Sequence, residues 1–118
     1  MKFEKLDGWK RPARLSAEIY KILRSLKDYG FKDQITRSGL SVPRNIAEGF
    51  ERQSLNESLQ LFSYAKGSCS ELRTQIYIGV DIGYIEKETG SLWIGETKEI
   101  SSMIVGSIQT RKSFTNKY

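Results

Sequence analysis

Gln34-Ile35-Thr36-Arg37-Ser38-Gly39-Leu40-Ser41-Val42-Pro43-Arg44-Asn45-Ile46-Ala47-Glu48-Gly49-Phe50-Glu51-Arg52 decides how the rest of this chain is read. Ile35, Leu40, Val42 and Ile46 recur at a spacing that lays one broad apolar face along a helix. Pro43 interrupts the pattern. It has no N–H, and its ring crowds the carbonyl of Gly39 four residues back, so a helix here either kinks or begins at Pro43. The kink is favoured, because the apolar face continues on both sides of the proline. Asn45 and Glu48 are three residues apart and share a helix face beside Ile46, which predicts partial burial and a hydrogen-bond network. A catalytic role for Glu48 has no support from a neighbouring histidine, metal-ligand cluster or second acid.

Working outward, the stretch from Ser54 to Glu57 is a capping box, with serine at the N-cap and glutamate three residues on. Leu55, Leu59, Phe62, Lys66, Cys69, Leu72, Ile76 and Gly79 then follow alternating four- and three-residue steps, with Lys66 as the charged interruption. That is bundle-core spacing, and it predicts a helix over about 54–82. It also claims the β-branched run Gln75–Val80 for the helix. Gly67 beside Ser68 is read as a point of close helix approach or a bend. Cys69 on this stripe reads as a small buried core residue rather than a reactive thiol.

Upstream, Leu15, Ile19, Ile22, Leu23 and Leu26 fall on one side of a helix predicted over about 8–27, with Asp7 as N-cap and Pro12 near its first turns. Lys10, Arg14, Lys21 and Arg24 fall within an arc of about 80° on the opposite side. Residues 1–6 read as an extended lead-in with Phe3 and Leu6 available for docking. Gly30 is read as a left-handed residue closing the first helix, and the second helix is predicted over 32–50. Gly83–Gly90 reads as a linker. A last helix over 91–112 has Trp93, Ile100, Met103, Ile104 and Ile108 inward, and the tail 113–118 is expected to fray. Four amphipathic helices with short connections predict an all-α, antiparallel up-down-up-down four-helix bundle in a single domain spanning 1–118.

Composition narrows the function. The chain has 118 residues, one cysteine and no histidine, which excludes an internal disulfide and an ordinary zinc site and removes the commonest general base. No metal, no cofactor and no catalytic residue are expected. No apolar run reaches the roughly 20 residues that cross a bilayer, and the N-terminal residues lack an apolar signal core, so a cytoplasmic protein with no membrane partner is expected. The net charge is +5, and residues 1–27 carry all of it, with eight basic side chains against three acidic ones. A polyanion would find its footprint on Lys10, Arg14, Lys21 and Arg24.

The motif Ser41-Val42-Pro43-Arg44-Asn45-Ile46-Ala47-Glu48-Gly49, preceded by Gln34–Arg37 and followed by Arg52, resembles the core motif of the four-helix-bundle family encoded in intervening sequences of bacterial 23S rRNA genes. Ala65–Gln75 is similar to that family's second signature, and Trp9 and Ile82-Gly83-Tyr84 add weaker matches over about residues 3–110. The family also includes the accessory protein of diversity-generating retroelements. The resemblance implies the same bundle, assembly into a ring-like homopentamer, and nucleic acid as partner, with a reverse transcriptase as a further partner in the retroelement setting. Arg37 and Arg52 match family positions. They are expected in a structural or subunit-interface network with Asn45, Glu48 and Glu51, or alternatively in contact with nucleic acid. The expected activity is non-catalytic binding of nucleic acid, RNA in preference to DNA, by a homo-oligomer. The rival is a protein–protein adaptor whose positive charge serves another purpose.

Overall fold

The computed structural model describes the backbone of residues 3–116 and side chains up to residue 113. Phe3–Lys5 forms a single 3-10 turn, followed by four α-helices: α1, Asp7–Ile22; α2, Tyr29–Glu51; α3, Leu55–Asp81; α4, Lys87–Asn116. Each helix packs on its chain neighbours and α4 closes back on α1. The four therefore stand in cyclic order around one core, with α1 diagonal to α3. The rod measures 52 × 21 × 21 Å. The all-α up-down-up-down bundle is as the sequence predicts.

The core is a continuous stack in which Leu15 and Ile19 of α1, Ile35, Val42 and Ile46 of α2, Phe62, Cys69, Leu72 and Ile76 of α3, and Trp93, Ile100 and Ile104 of α4 are all buried. At α3 the local and the global signals agree. Ser54 Oγ accepts the Glu57 N–H at 3.4 Å, opening the helix as an N-cap residue does. At its other end Gly83 takes φ +83°, and the Tyr84 and Gly83 N–H groups donate to the carbonyls of Gly79 (2.8 Å) and Val80 (3.1 Å). This is a Schellman closure, and it needs a residue without a Cβ at position 83.

Helix ends depart from the sequence reading in five places. α1 stops at Ile22 rather than Lys27, because Asp28 is taken by the next helix: its Oδ1 accepts the Phe31 N–H at 3.1 Å. Gly30 consequently lies inside α2 and closes nothing. The Asp28 carboxyl, which also accepts from the Tyr84 hydroxyl at 2.7 Å, is held below the usual carboxylate range by that bond first and the Phe31 N–H second. α4 starts at Lys87 rather than 91. Gly90, read as linker, is a buried helical position where an added Cβ would run into Val80. At its far end α4 continues through 113–116, where fraying was expected; Lys117 and Tyr118 lie outside the described residues. Within the lead-in, Phe3–Lys5 forms a 3-10 turn rather than extended chain, residues 1 and 2 lying outside the described residues, and Phe3 meets Trp9 edge to face at 5.2 Å. Asp7 is the first helical residue, with Leu6 at the N-cap position.

Both prolines sit inside helices. α2 runs unbroken through Pro43, so the reading in which the helix begins there is excluded. α1 starts well before Pro12, which is buried. Among the described residues no helix is long and apolar enough to cross a membrane.

Candidate nucleic-acid interface

α1 sorts its side chains as the sequence predicts for most of its length. Leu15 and Ile19 are buried, Arg14 and Lys21 are exposed, and Lys10 is half-buried. Arg24 is exposed but lies in the turn after α1, so the helical arc holds for three of the four cations only. Ile22, expected inward, is 51% exposed because the helix ends on it.

Arg11, in the same helix, has a different fate. Its Nε and Nη2 donate to Glu96 Oε2 and Oε1 of α4 at 2.8 and 2.5 Å, a two-pronged pair across the bundle. That hydrogen bond is the main reason the Arg11 pKa lies above, and the Glu96 pKa below, its ordinary value. Roughly a third of each side chain is in solvent, so the pair contributes at most about 1 kcal/mol. Its consequence for the surface is larger: Arg11 is neutralised, whereas Lys10, Arg14, Lys21 and Arg24 make no ion pair among the described residues.

The signature stretch builds a polar seam between α2 and α3. Asn45, 9% exposed, donates from Nδ2 to the Ser41 carbonyl and to Ser41 Oγ, both at 2.9 Å. Ser41 Oγ in turn meets Ser68 Oγ at 2.8 Å, and Ser38 donates to Glu71 at 2.7 Å. Ser68, not Gly67, makes the close approach: Gly67 is exposed, and a Cβ there would touch nothing. Two expectations on this stretch need correcting. Glu48 is exposed rather than sharing the burial of Asn45, and Leu40 is 48% exposed because it falls between the stripe facing α1 and solvent. Arg37 pairs with Asp33 of its own helix at 2.8 Å, with both side chains largely in solvent. Arg52 closes α2 through its N–H to the Glu48 carbonyl (3.2 Å), and its own carbonyl accepts from Arg111 at 2.7 Å. Neither arginine pairs with Glu48 or Glu51 within the chain.

Asn45→Ala is expected to lower stability by about 1–3 kcal/mol, since it strips a buried, paired amide and leaves Ser41 with Ser68 alone. Urea unfolding measures it. A neutral result would mean that the seam carries no net energy.

Sequence reasoning passed over Arg73. It is half-buried and reaches α4, donating from Nε to Thr97 Oγ1 at 2.9 Å and from Nη2 to the Thr97 carbonyl (3.2 Å) and Ser101 Oγ (3.0 Å). The available signal was its place inside the second motif block, Ala65–Gln75. Beside it Cys69 is fully buried, its Sγ donating to the Thr97 carbonyl at 3.2 Å, and burial pushes the thiol pKa up. That is the inert core cysteine the spacing predicts. Among the described residues no group of acids and cysteine is arranged to hold a metal ion.

Residues 4–106 match the family of 23S rRNA-intervening sequence proteins. The fold is similar to the crystal structure of a protein of unknown function from the S23 ribosomal protein family of Bacteroides thetaiotaomicron VPI-5482. The TM-score is 0.80 at 23% sequence identity, over 86% of this chain and 97% of that one. A comparison with curated protein sequences gives no match. With most of its length matched, and with the bundle that the Pro43 and Ala65–Gln75 motifs led one to expect, the chain belongs to the 23S rRNA-intervening sequence protein family.

Proposed function

We propose that this protein is a non-catalytic nucleic-acid-binding bundle, acting on RNA in preference to DNA and working as a homo-oligomer. The observation that carries the reading is the charge on and just after α1: Lys10, Arg14, Lys21 and Arg24 make no ion pair among the described residues, while Arg11 between them is neutralised across the bundle. Charges left unpaired at a surface attract a polyanion and release its counterions, giving affinity with little sequence reading. The preference for RNA rests on the family to which the chain belongs. Assembly is supported by half-exposed Tyr64 and Ile82 and three-quarters-exposed Leu92, more apolar surface than a lone small bundle needs. A homopentamer is the assembly that the family resemblance implies, and it would multiply the cationic surface. The same apolar surface also favours the second reading, an adaptor for another protein such as a reverse transcriptase.

Salt titration separates the two. Binding to RNA is expected to weaken steeply as salt rises. Reversing Lys10, Arg14, Lys21 and Arg24 to Glu together is expected to flatten the log–log slope by roughly 3 per chain, at about 0.7 for each phosphate contact with a single strand. A reversed protein that keeps its fold by circular dichroism and also keeps the wild-type slope would remove α1 from the interface. Nucleic acid left unbound at low salt would leave the adaptor reading.

A further inference from the structure

The groove between α3 and α4 carries cations of a different kind from those of α1. Lys66, Ser70, Arg73 and Tyr77 are spaced four, three and four residues apart, so they line one stripe of α3. Cys69 and Arg73 both bond to Thr97, which places that side of the helix against α4. Lys66 and Ser70 are exposed, Tyr77 is 52% exposed, and exposed Lys98 lies beside Thr97 and one turn before Ser101, the two α4 residues that Arg73 bonds.

Arg73 is the fixed point. Its three hydrogen bonds go to a threonine hydroxyl, a backbone carbonyl and a serine hydroxyl, all neutral acceptors. Thr97 is itself fixed by donating to the Ile94 carbonyl at 2.7 Å. These bonds use the Nε–H and Nη2, and leave Nη1 with no partner among the described residues. The guanidinium is thus immobilised without being neutralised, the opposite of Arg11. An arginine whose rotamers are already fixed loses little entropy when it meets an anion.

Carboxylates are kept away from the cations of this groove, and Asp81, one turn beyond Tyr77, stands at the end of the stripe. The residues three and four positions from Lys66, Arg73 and Lys98 are all neutral, whereas Arg14 and Lys21 both have Glu18 at such a distance. Glu71 of α3 turns to α2, where Ser38 donates to it. Glu96 of α4 turns to α1, and Glu99 favours the Arg11 charge from the same side. Both helices send their central acids to the faces flanking this groove.

We infer that Lys66, Ser70, Arg73 and Tyr77 of α3, with Lys98 of α4, form a second anion-binding strip, and that its ligand is the backbone of a single-stranded nucleic acid. The cations take phosphates, and the exposed Tyr77 ring takes an unpaired base. A duplex keeps its base faces stacked and offers nothing to that ring. Because α3 lies diagonal to α1, the strip and the α1 cations face different sides of the rod. The inference rests on the nucleic-acid reading above and assigns it a second surface and a strand preference.

The test uses the full chain and a single-stranded oligouridylate of about 30 nucleotides, several binding sites long, followed by fluorescence anisotropy across a salt series. Lys66→Gln with Lys98→Gln changes exposed side chains that make no ion pair, so the fold is expected to survive. The slope is expected to fall by roughly 1.4, two contacts at about 0.7 each. Tyr77→Leu is expected to lower single-strand affinity roughly five- to a hundredfold with the slope unchanged, and to leave duplex binding as it was. A double variant with the wild-type slope overturns the strip, even while loss of binding in the α1 reversal upholds the function proposed above. Equal Tyr77→Leu effects on single strand and duplex overturn the strand assignment. Wild-type protein that binds no oligonucleotide overturns both readings.

Discussion

Phe62→Ala is expected to lower the unfolding free energy by about 3–5 kcal/mol, the range for emptying a phenylalanine site in a packed core. Phe62 is 1% exposed and lies edge to face with Phe50, ring centres 5.0 Å apart at 67°. Its ring also covers Gly49, so one side chain joins α3 to the C-terminal half of α2. Truncation removes the ring's burial and the aromatic pair, and leaves a hole bounded by helix backbone that cannot close over it. Domains of this size are stable by about 5–15 kcal/mol, so the variant stands near the edge of folding. Phe62→Leu, which refills most of the volume, should cost less than half as much. Urea unfolding measures both. A loss under about 1 kcal/mol for alanine would mean that the two helices hold together without this ring.

How far the chain could be read in advance depended on whether the deciding interaction was local. In α3 it was: Ser54 caps three residues away, and Phe62, Cys69, Leu72 and Ile76 of the stripe are core in the folded protein, with the charged interruption Lys66 exposed. α1 shows the opposite case. Its apolar spacing runs on through Leu26, yet the helix ends at Ile22, because Asp28 is a better cap for α2 than its neighbours are continuations of α1. Gly90 punctuates a sequence as a turn residue does, but here it is a helical contact point, and Val80, ten residues back, is what makes it so, with Ile85 beside it.

The candidate site divides in the same way. That α1 is basic could be counted from its residues. Which of its cations stay unneutralised could not, since the partner of Arg11 lies 85 residues away. Arg73 was hidden for the same reason. In sequence it is one arginine on a helix. In the fold, Thr97 and Ser101, 24 and 28 residues further on, determine which way it points. Asn45 was legible as a buried polar group because its partner, Ser41, sits one turn away, while the exposure of Glu48 depended on where α3 lies.

Two glycines near the ends of α2 and the middle of α3 are expected to respond to substitution with opposite signs. On propensity alone any glycine inside a helix gains about 1 kcal/mol on becoming alanine. Gly67 obeys that rule. It is exposed, no atom lies within 4 Å of the Cβ it would acquire, and Gly67→Ala should raise stability by about 0.5–1 kcal/mol. Gly49 does not. A Cβ there would stand 2.6 and 2.8 Å from the Cε1 and Cδ1 atoms of Phe62, a ring already wedged against Phe50, and the Gly49 carbonyl is held by Ser58 Oγ at 2.7 Å. Neither the ring nor the backbone can retreat cheaply, so Gly49→Val should cost about 3 kcal/mol, the upper end of core overpacking, whatever it gains in propensity. Thermal and urea unfolding of the two variants side by side tests the pair. If Gly49→Val were as stable as the wild type, Phe62 would have to possess a second place in the core, and the loss expected for Phe62→Ala would shrink with it.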